Sequence, residues 1–110
     1  MPPSRRPPEA ASEAPREALE DFKAIGRFIA RDNIAAARRV GAALRASGNR
    51  LGEVATGHPG RVTGTYEKSV PGLPYVIAYA IVPGTTGLEM VAILRVIHTA
   101  RHWPKDSWPK

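Results

Sequence analysis

The stretch Tyr75-Val76-Ile77-Ala78-Tyr79-Ala80-Ile81-Val82, followed by Pro83-Gly84-Thr85-Thr86-Gly87 and then by Leu88 to Ile97 (LEMVAILRVI), decides the architecture. The first run is apolar on both faces and short, which fits a central strand covered from both sides. The Pro/Gly/Thr stretch reads as a hairpin loop, and Leu88 to Ile97 as the returning strand. Arg95 interrupts that second run. A cation in a strand otherwise built for burial needs an exposed edge, a partner or a site.

Working outward, Val62 to Val70 has strand propensity with polar residues interleaved, as in a half-buried strand. Gly57-His58-Pro59-Gly60 before it is loop sequence, and His58 reads as a loop residue. Further upstream the period changes from two to about 3.6. Leu19, Phe22, Ile25, Phe28 and Ile29 make one helical stripe, with Pro15 as a first-turn residue and Glu17, Glu20 and Asp21 near the positive end. Arg31-Asp32-Asn33 breaks the pattern, and Asp32 or Asn33 can cap a second helix. Its apolar face would hold Ile34, Ala37, Val40, Leu44, Leu51 and Val54, with a bend or brief break expected at Gly48-Asn49. Two amphipathic helices with so short a connection form a hairpin whose stripes need an apolar cover. The sheet supplies it. The predicted fold is α+β, a helical hairpin on a small antiparallel sheet of three or four strands.

The whole chain has 110 residues, one domain's worth. Residues 1–14, with Pro2, Pro3, Pro7 and Pro8 and no large apolar residue after Met1, are expected to be a disordered tail. The domain would run over 15–104, and 105–110 would be a C-terminal tail. Cysteine is absent, which excludes disulfides and thiolate metal sites and suits a reducing, cytoplasmic setting. No apolar run is long enough to span a bilayer, and MPPSRRPPEA lacks the apolar core of a secretory signal. Sixteen Lys and Arg against ten Asp and Glu give a net charge of +6, which suits an anionic partner, either nucleic acid or an acidic polypeptide.

The ordered set PREALEDFKAIGRFIARDN, AAARRVGAAL, HPGRVTGTYEKSVPGLPYVIAYAI and ILRVIHTARHWP resembles the ParE/RelE superfamily of bacterial type II toxins. The closing L-R-V-I-H-x-A-R-x-W-P after a P-Y-x-I-x-Y strand is closer to the ParE branch, the plasmid-stabilisation toxins, than to the RelE branch. The resemblance implies a toxin that inhibits DNA gyrase by protein contact, without a cofactor. It also implies neutralisation by a cognate ParD-like antitoxin whose acidic C-terminal segment wraps the toxin. Family members usually open with an apolar strand before the first helix. Here Arg5 to Ser12 (RRPPEAAS) occupies that place, so the strand is expected to be missing or degenerate.

The RelE branch, the alternative, cuts ribosome-bound messenger RNA. That reaction needs a proton acceptor for the 2′-OH, a cation on the phosphorane and an acid for the leaving oxygen. Arg61, Lys68 and Arg101 could supply charge and His98 a base. The central-strand position where such nucleases carry an arginine falls near Val76, however, and no tyrosine follows Tyr79. A third reading is an inactive remnant that still binds antitoxin. The candidate target or partner contacts are Arg61, Lys68, Arg95, His98, Arg101 and Trp103; catalytic residues stay unassigned. Trp103 could instead plug the open end of the sheet, and His98 could bond to backbone where its strand ends. His98 and His102 have metal-ligand spacing only on a helix, so no metal site is expected. Tyr75 and Tyr79, on one strand face, read as core. Arg27, Arg31, Arg38, Arg39, Arg45 and Arg50 give the hairpin a basic outer surface. Direct DNA binding has only that charge behind it, since no helix-turn-helix, ribbon or aromatic stacking motif accompanies it.

Overall fold

The computed structural model describes residues 12–13, 16–84, 87–101, 103 and 105–109. Two helices, α1 (Arg16–Ala30) and α2 (Ile34–Glu53), form the expected hairpin. The strands are β1 (Ser12–Glu13), β2 (His58–Pro59), β3 (Tyr66–Ser69), β4 (Tyr75–Pro83) and β5 (Glu89–His98), in the order β1-β5-β4-β3-β2. The apolar β4 does lie at the centre. It pairs antiparallel with β5 from Tyr75 opposite His98 to Pro83 opposite Glu89, with a bulge at Leu94 between Ile93 and Arg95.

The strand expected to be missing or degenerate survives as Ser12 and Glu13, which pair parallel with Val91 and Ala92 of β5. Ser12 and Glu13, placed in the expected tail, thus belong to the sheet; the rest of that stretch, residues 1–11 and 14, lies outside the described residues. This parallel edge also raises the strand count to five. His58, read as a loop residue, pairs through β2 with Glu67, and the predicted Val62–Val70 strand contracts to Tyr66–Ser69 because Val62 to Thr65 form a turn closed by the Thr65 N–H donating to the Val62 carbonyl.

Asn33 is the cap of α2, its side chain accepting from the Ala36 N–H at 2.9 Å. The helix does not break at Gly48. A Cβ there would stand 3.1 Å from Ile93 Cδ1, so the glycine serves the close approach of α2 to the sheet rather than a bend.

Beneath the helices, Leu44 and Leu51 pack with Val70, Tyr75, Ile77, Tyr79, Val91 and Val96, with Phe22 and Ile25 of α1 against them. The α1 stripe is thus rotated from the one predicted: Ala18 is buried, whereas Leu19 and Phe28 are exposed, as are Ile34 and Val54 of α2. By strand alternation the opposite face of the sheet carries Val76, Ala78 and Ile97. Ala78 and Ile97 are also buried, at 0% and 2% exposure. The C-terminal segment returns toward this face. The Asp106 N–H donates to the Arg61 carbonyl, and the Pro109 carbonyl accepts from Arg95 Nη1 at 3.3 Å. Residues 105–109, expected as a tail, are tied to the domain by these bonds and Pro109 is buried.

Candidate functional site

Register decides which candidate residues can act together. Glu67 stands opposite Ala78 and Lys68 opposite Ile77, so neighbours on β3 point to opposite faces. The six candidates accordingly divide.

On the face away from the helices, Arg61 and Trp103 do come together. The Arg61 guanidinium lies 4.0 Å from the centroid of the Trp103 ring, a cation–π contact. The Arg61 N–H donates to Oε2 of the buried Glu67 at 2.8 Å, and Thr65 Oγ1 donates to the Val62 carbonyl at 2.6 Å, so the loop that carries Arg61 is held at both sides. Asp106 adds a further strut: its Oδ1 accepts from the Thr63 N–H at 2.7 Å. Hydrogen bonding to Thr63, helped by the charge of Lys105, holds the Asp106 carboxyl below its ordinary value. Trp103 is buried, and among the described residues its Nε1 finds no hydrogen-bond partner. The burial is what a side chain closing the sheet would show, and the arginine on its ring is exposed.

Arg95 has a partner. Its Nε and Nη2 donate to the two oxygens of Asp21 at 2.6 and 3.1 Å, and Asp21 Oδ2 also accepts the Val96 N–H at 2.9 Å. The pair is mostly enclosed, at 14% and 17% side-chain exposure. Asp21 thereby satisfies an N–H on the outer edge of β5 beyond the reach of the short β1. Arg95 braces α1, β5 and the C-terminal segment, and its charge is committed to that task.

Lys68 faces the helices, at the margin of a groove of about 630 Å³ between α2 and β3, with Arg50, Leu51, Val54, Val70 and Pro71 among its lining residues. A second, more apolar groove of about 260 Å³ runs between the hairpin and the sheet over Phe22, Leu44, Gly48, Ile77, Ile93 and Val96. His98 ends β5, its ring edge-on to Tyr75 at 5.2 Å and its Nδ1 accepting the Ala100 N–H at 3.0 Å, the backbone role expected from sequence. Arg101 follows in an exposed position, its N–H donating to the His98 carbonyl.

Tyr75 and Tyr79 are core residues, and burial raises both phenols above their usual range, Tyr79 further through Tyr66. Tyr79 stacks on Tyr66 at 5.6 Å and donates to the Thr56 carbonyl at 2.6 Å. Sequence reasoning missed Asp21, Glu67 and Asp106. For Asp21 a signal existed, because it shares the α1 face of Ala18, Phe22 and Ile25. A carboxylate on a buried stripe implies a buried cation. Among the described residues no group of three or more His, Asp or Glu could hold a metal ion, and no helix is long and apolar enough to cross a membrane.

The domain is thus a helix hairpin on a mostly antiparallel sheet, with the arginine–tryptophan pair on one face of the sheet and grooves on the other. Residues 14–103 match the family model described as ParE toxin of type II toxin-antitoxin system, parDE. "Putative toxin Y4kP" of Sinorhizobium fredii is 36% identical over 89 residues, covering 80% of this chain and 86% of that protein. A solved structure titled "Chromosomal ParDE TA system from P. aeruginosa" superposes with a TM-score of 0.69 at 20% identity, covering 81% of this chain and 95% of that one. The chain belongs to the ParE toxin family of type II toxin–antitoxin systems.

Proposed function

We propose that this toxin acts in the cytoplasm by binding DNA gyrase and blocking it, and that a ParD-like antitoxin neutralises it through an acidic C-terminal segment. The observation that carries the reading is the division of the basic side chains. Arg61 and Lys68 lie on opposite faces of the sheet, and Arg95 is bound by Asp21. A ribonuclease needs cations converging on one phosphate, with a base beside them. Binding a protein surface needs no such convergence. Val76, on the face of Arg61 and Trp103, also brings no charge there.

The two grooves facing the helices suit an antitoxin segment. Their floors are apolar, and at the larger one Arg50 and Lys68 outweigh Glu53, which complements an acidic chain. We assign Arg61, Arg101 and Trp103 to the target. Purified toxin should reduce supercoiling by gyrase and leave translated message intact. Arg101→Ala should fold normally and lose the inhibition. Ribosome-dependent cleavage of message in a purified translation system would refute the gyrase reading and restore the nuclease.

A further inference from the structure

Going beyond that reading, we propose that the tip of the helix hairpin is a docking surface for an acidic protein segment bearing apolar side chains, separate from the grooves against the sheet. Phe28, at the end of α1, is 67% exposed, and Ile34, at the start of α2, is 61% exposed. Phe28 lines an open depression of about 750 Å³ together with Ala24, Arg27, Ala30 and Arg31. Arg27 in the last turn of α1 and Arg31 just past its end line the same depression as Phe28, and Arg38 stands one turn beyond Ile34 on the same face of α2. Asp32 is the single acid between Lys23 and Arg39.

These arginines are available. Among the described residues no hydrogen bond or ion pair engages Arg27, Arg31 or Arg38. Arg45 and Arg95 are different, one lying over the Phe22 ring and the other held by Asp21. At the tip two large apolar side chains stand exposed among these charges. An interface core combines aromatic residues with arginine.

Charge complementarity selects the occupant. The chain's own residues 1–11 bring Arg5 and Arg6 against Glu9, and a second copy brings the same cationic tip, so both are repelled. Nucleic acid phosphates would account for the arginines and leave Phe28 and Ile34 without a role. A bilayer anchor uses a continuous apolar face along a helix, whereas here the apolar part is two side chains at a turn. An acidic segment with apolar residues meets both requirements.

The test uses the full chain and a fluorescent amphipathic peptide of alternating Glu and Leu turns, read by anisotropy. Wild type should bind it about ten-fold more tightly than Phe28→Ser, Ile34→Ser or Arg27→Ala/Arg31→Ala, all with unchanged melting temperature. A peptide of equal charge with Ser in place of Leu should bind as weakly to wild type as the Leu peptide does to Phe28→Ser. Binding that is absent, or unaffected by these variants, overturns the proposal. So does tighter binding, through the same residues, of a DNA duplex or of vesicles containing phosphatidylglycerol.

Discussion

Asp21 and Arg95, separated by 74 residues in sequence, form a two-point ion pair in which one carboxylate oxygen also receives the backbone N–H of Val96. A side chain here completes an edge that a longer β1 would have completed with backbone. The arrangement couples α1 to β5 beyond the end of the two-residue β1.

Removing the carboxylate should therefore cost more than an exposed ion pair does. Asp21→Ala leaves a mostly enclosed guanidinium and an edge N–H without their acceptor, a loss of about 2 kcal/mol. For a domain of this size that lowers the melting temperature by roughly 10 °C. Arg95→Met should be milder, because the apolar stem is kept and the Val96 bond remains. Thermal melts of both single variants and the double variant measure the coupling. A drop for Asp21→Ala no larger than that of a surface substitution would show the pair to be incidental.

Two glycines should respond oppositely to the same added methyl group. At Gly48 a Cβ meets only the flexible end of Ile93, which borders the small groove and has room to shift. Alanine also favours a helix interior by about 1 kcal/mol over glycine, so Gly48→Ala should be neutral to slightly stabilising. At Gly57, φ is +139° and a Cβ would lie 2.7 Å from the Glu67 carbonyl oxygen and 3.0 Å from the Tyr79 hydroxyl. Neither neighbour can yield without breaking the Tyr79 bond to Thr56 or moving β3. Gly57→Ala should cost about 2 kcal/mol or more. Equal melting temperatures for the two variants would contradict the packing described.

The contrast also marks what could be read beforehand. β4 and β5 were legible because continuous apolar runs at strand length leave few alternatives. Gly48 was misleading because its reason is a neighbour on β5, invisible to local propensity. Phe22 and Ile25 of the α1 stripe do face the core, whereas Leu19 and Phe28, whose size suggests burial, do not; Ala18, too small to attract notice, lies where the helix meets the sheet. Arg95 announced that it needed a partner but not which one. β1 was legible only through the resemblance, as a strand missing or degenerate, because Ser12-Glu13 is polar; the C-terminal packing had no local signal, since Lys105 to Pro109 is held by tertiary bonds. Of the candidate site, Arg61 and Trp103 were legible as residues but not as a pair, and the division of the basic residues between faces required the register.

Trp103 and Arg61 should separate stability from surface. Trp103→Ala empties a buried indole site and should lower stability by roughly 3–5 kcal/mol. Trp103→Phe keeps most of the apolar contact and removes a buried N–H that has no acceptor among the described residues, so its cost should be less than half as large. Arg61→Ala loses a partly solvated cation–π contact, about 0.5–1 kcal/mol. Denaturant titrations of the three variants give the order directly. A Phe variant as unstable as the Ala variant would mean that the indole nitrogen has a partner after all.

Asp106 gives the C-terminal segment an acid sensitivity whose sign follows from its bonds. The carboxylate form accepts the Thr63 N–H, so its folded-state pKa lies below the ordinary 3.8. Above that ordinary value the contribution is fully present; as pH falls through the lower folded-state value, protonation removes it. The side chain is exposed, so the effect on the whole domain is small, and a difference measurement is the way to see it. Asn at this position tolerates the positive φ of 63° and cannot titrate. The stability gap between wild type and Asp106→Asn should be constant from neutral pH down to about pH 4 and should shrink below it. Melting temperatures of both proteins across that range decide the matter: a gap that widens toward acid would mean that the protonated form is the one the Thr63 loop prefers.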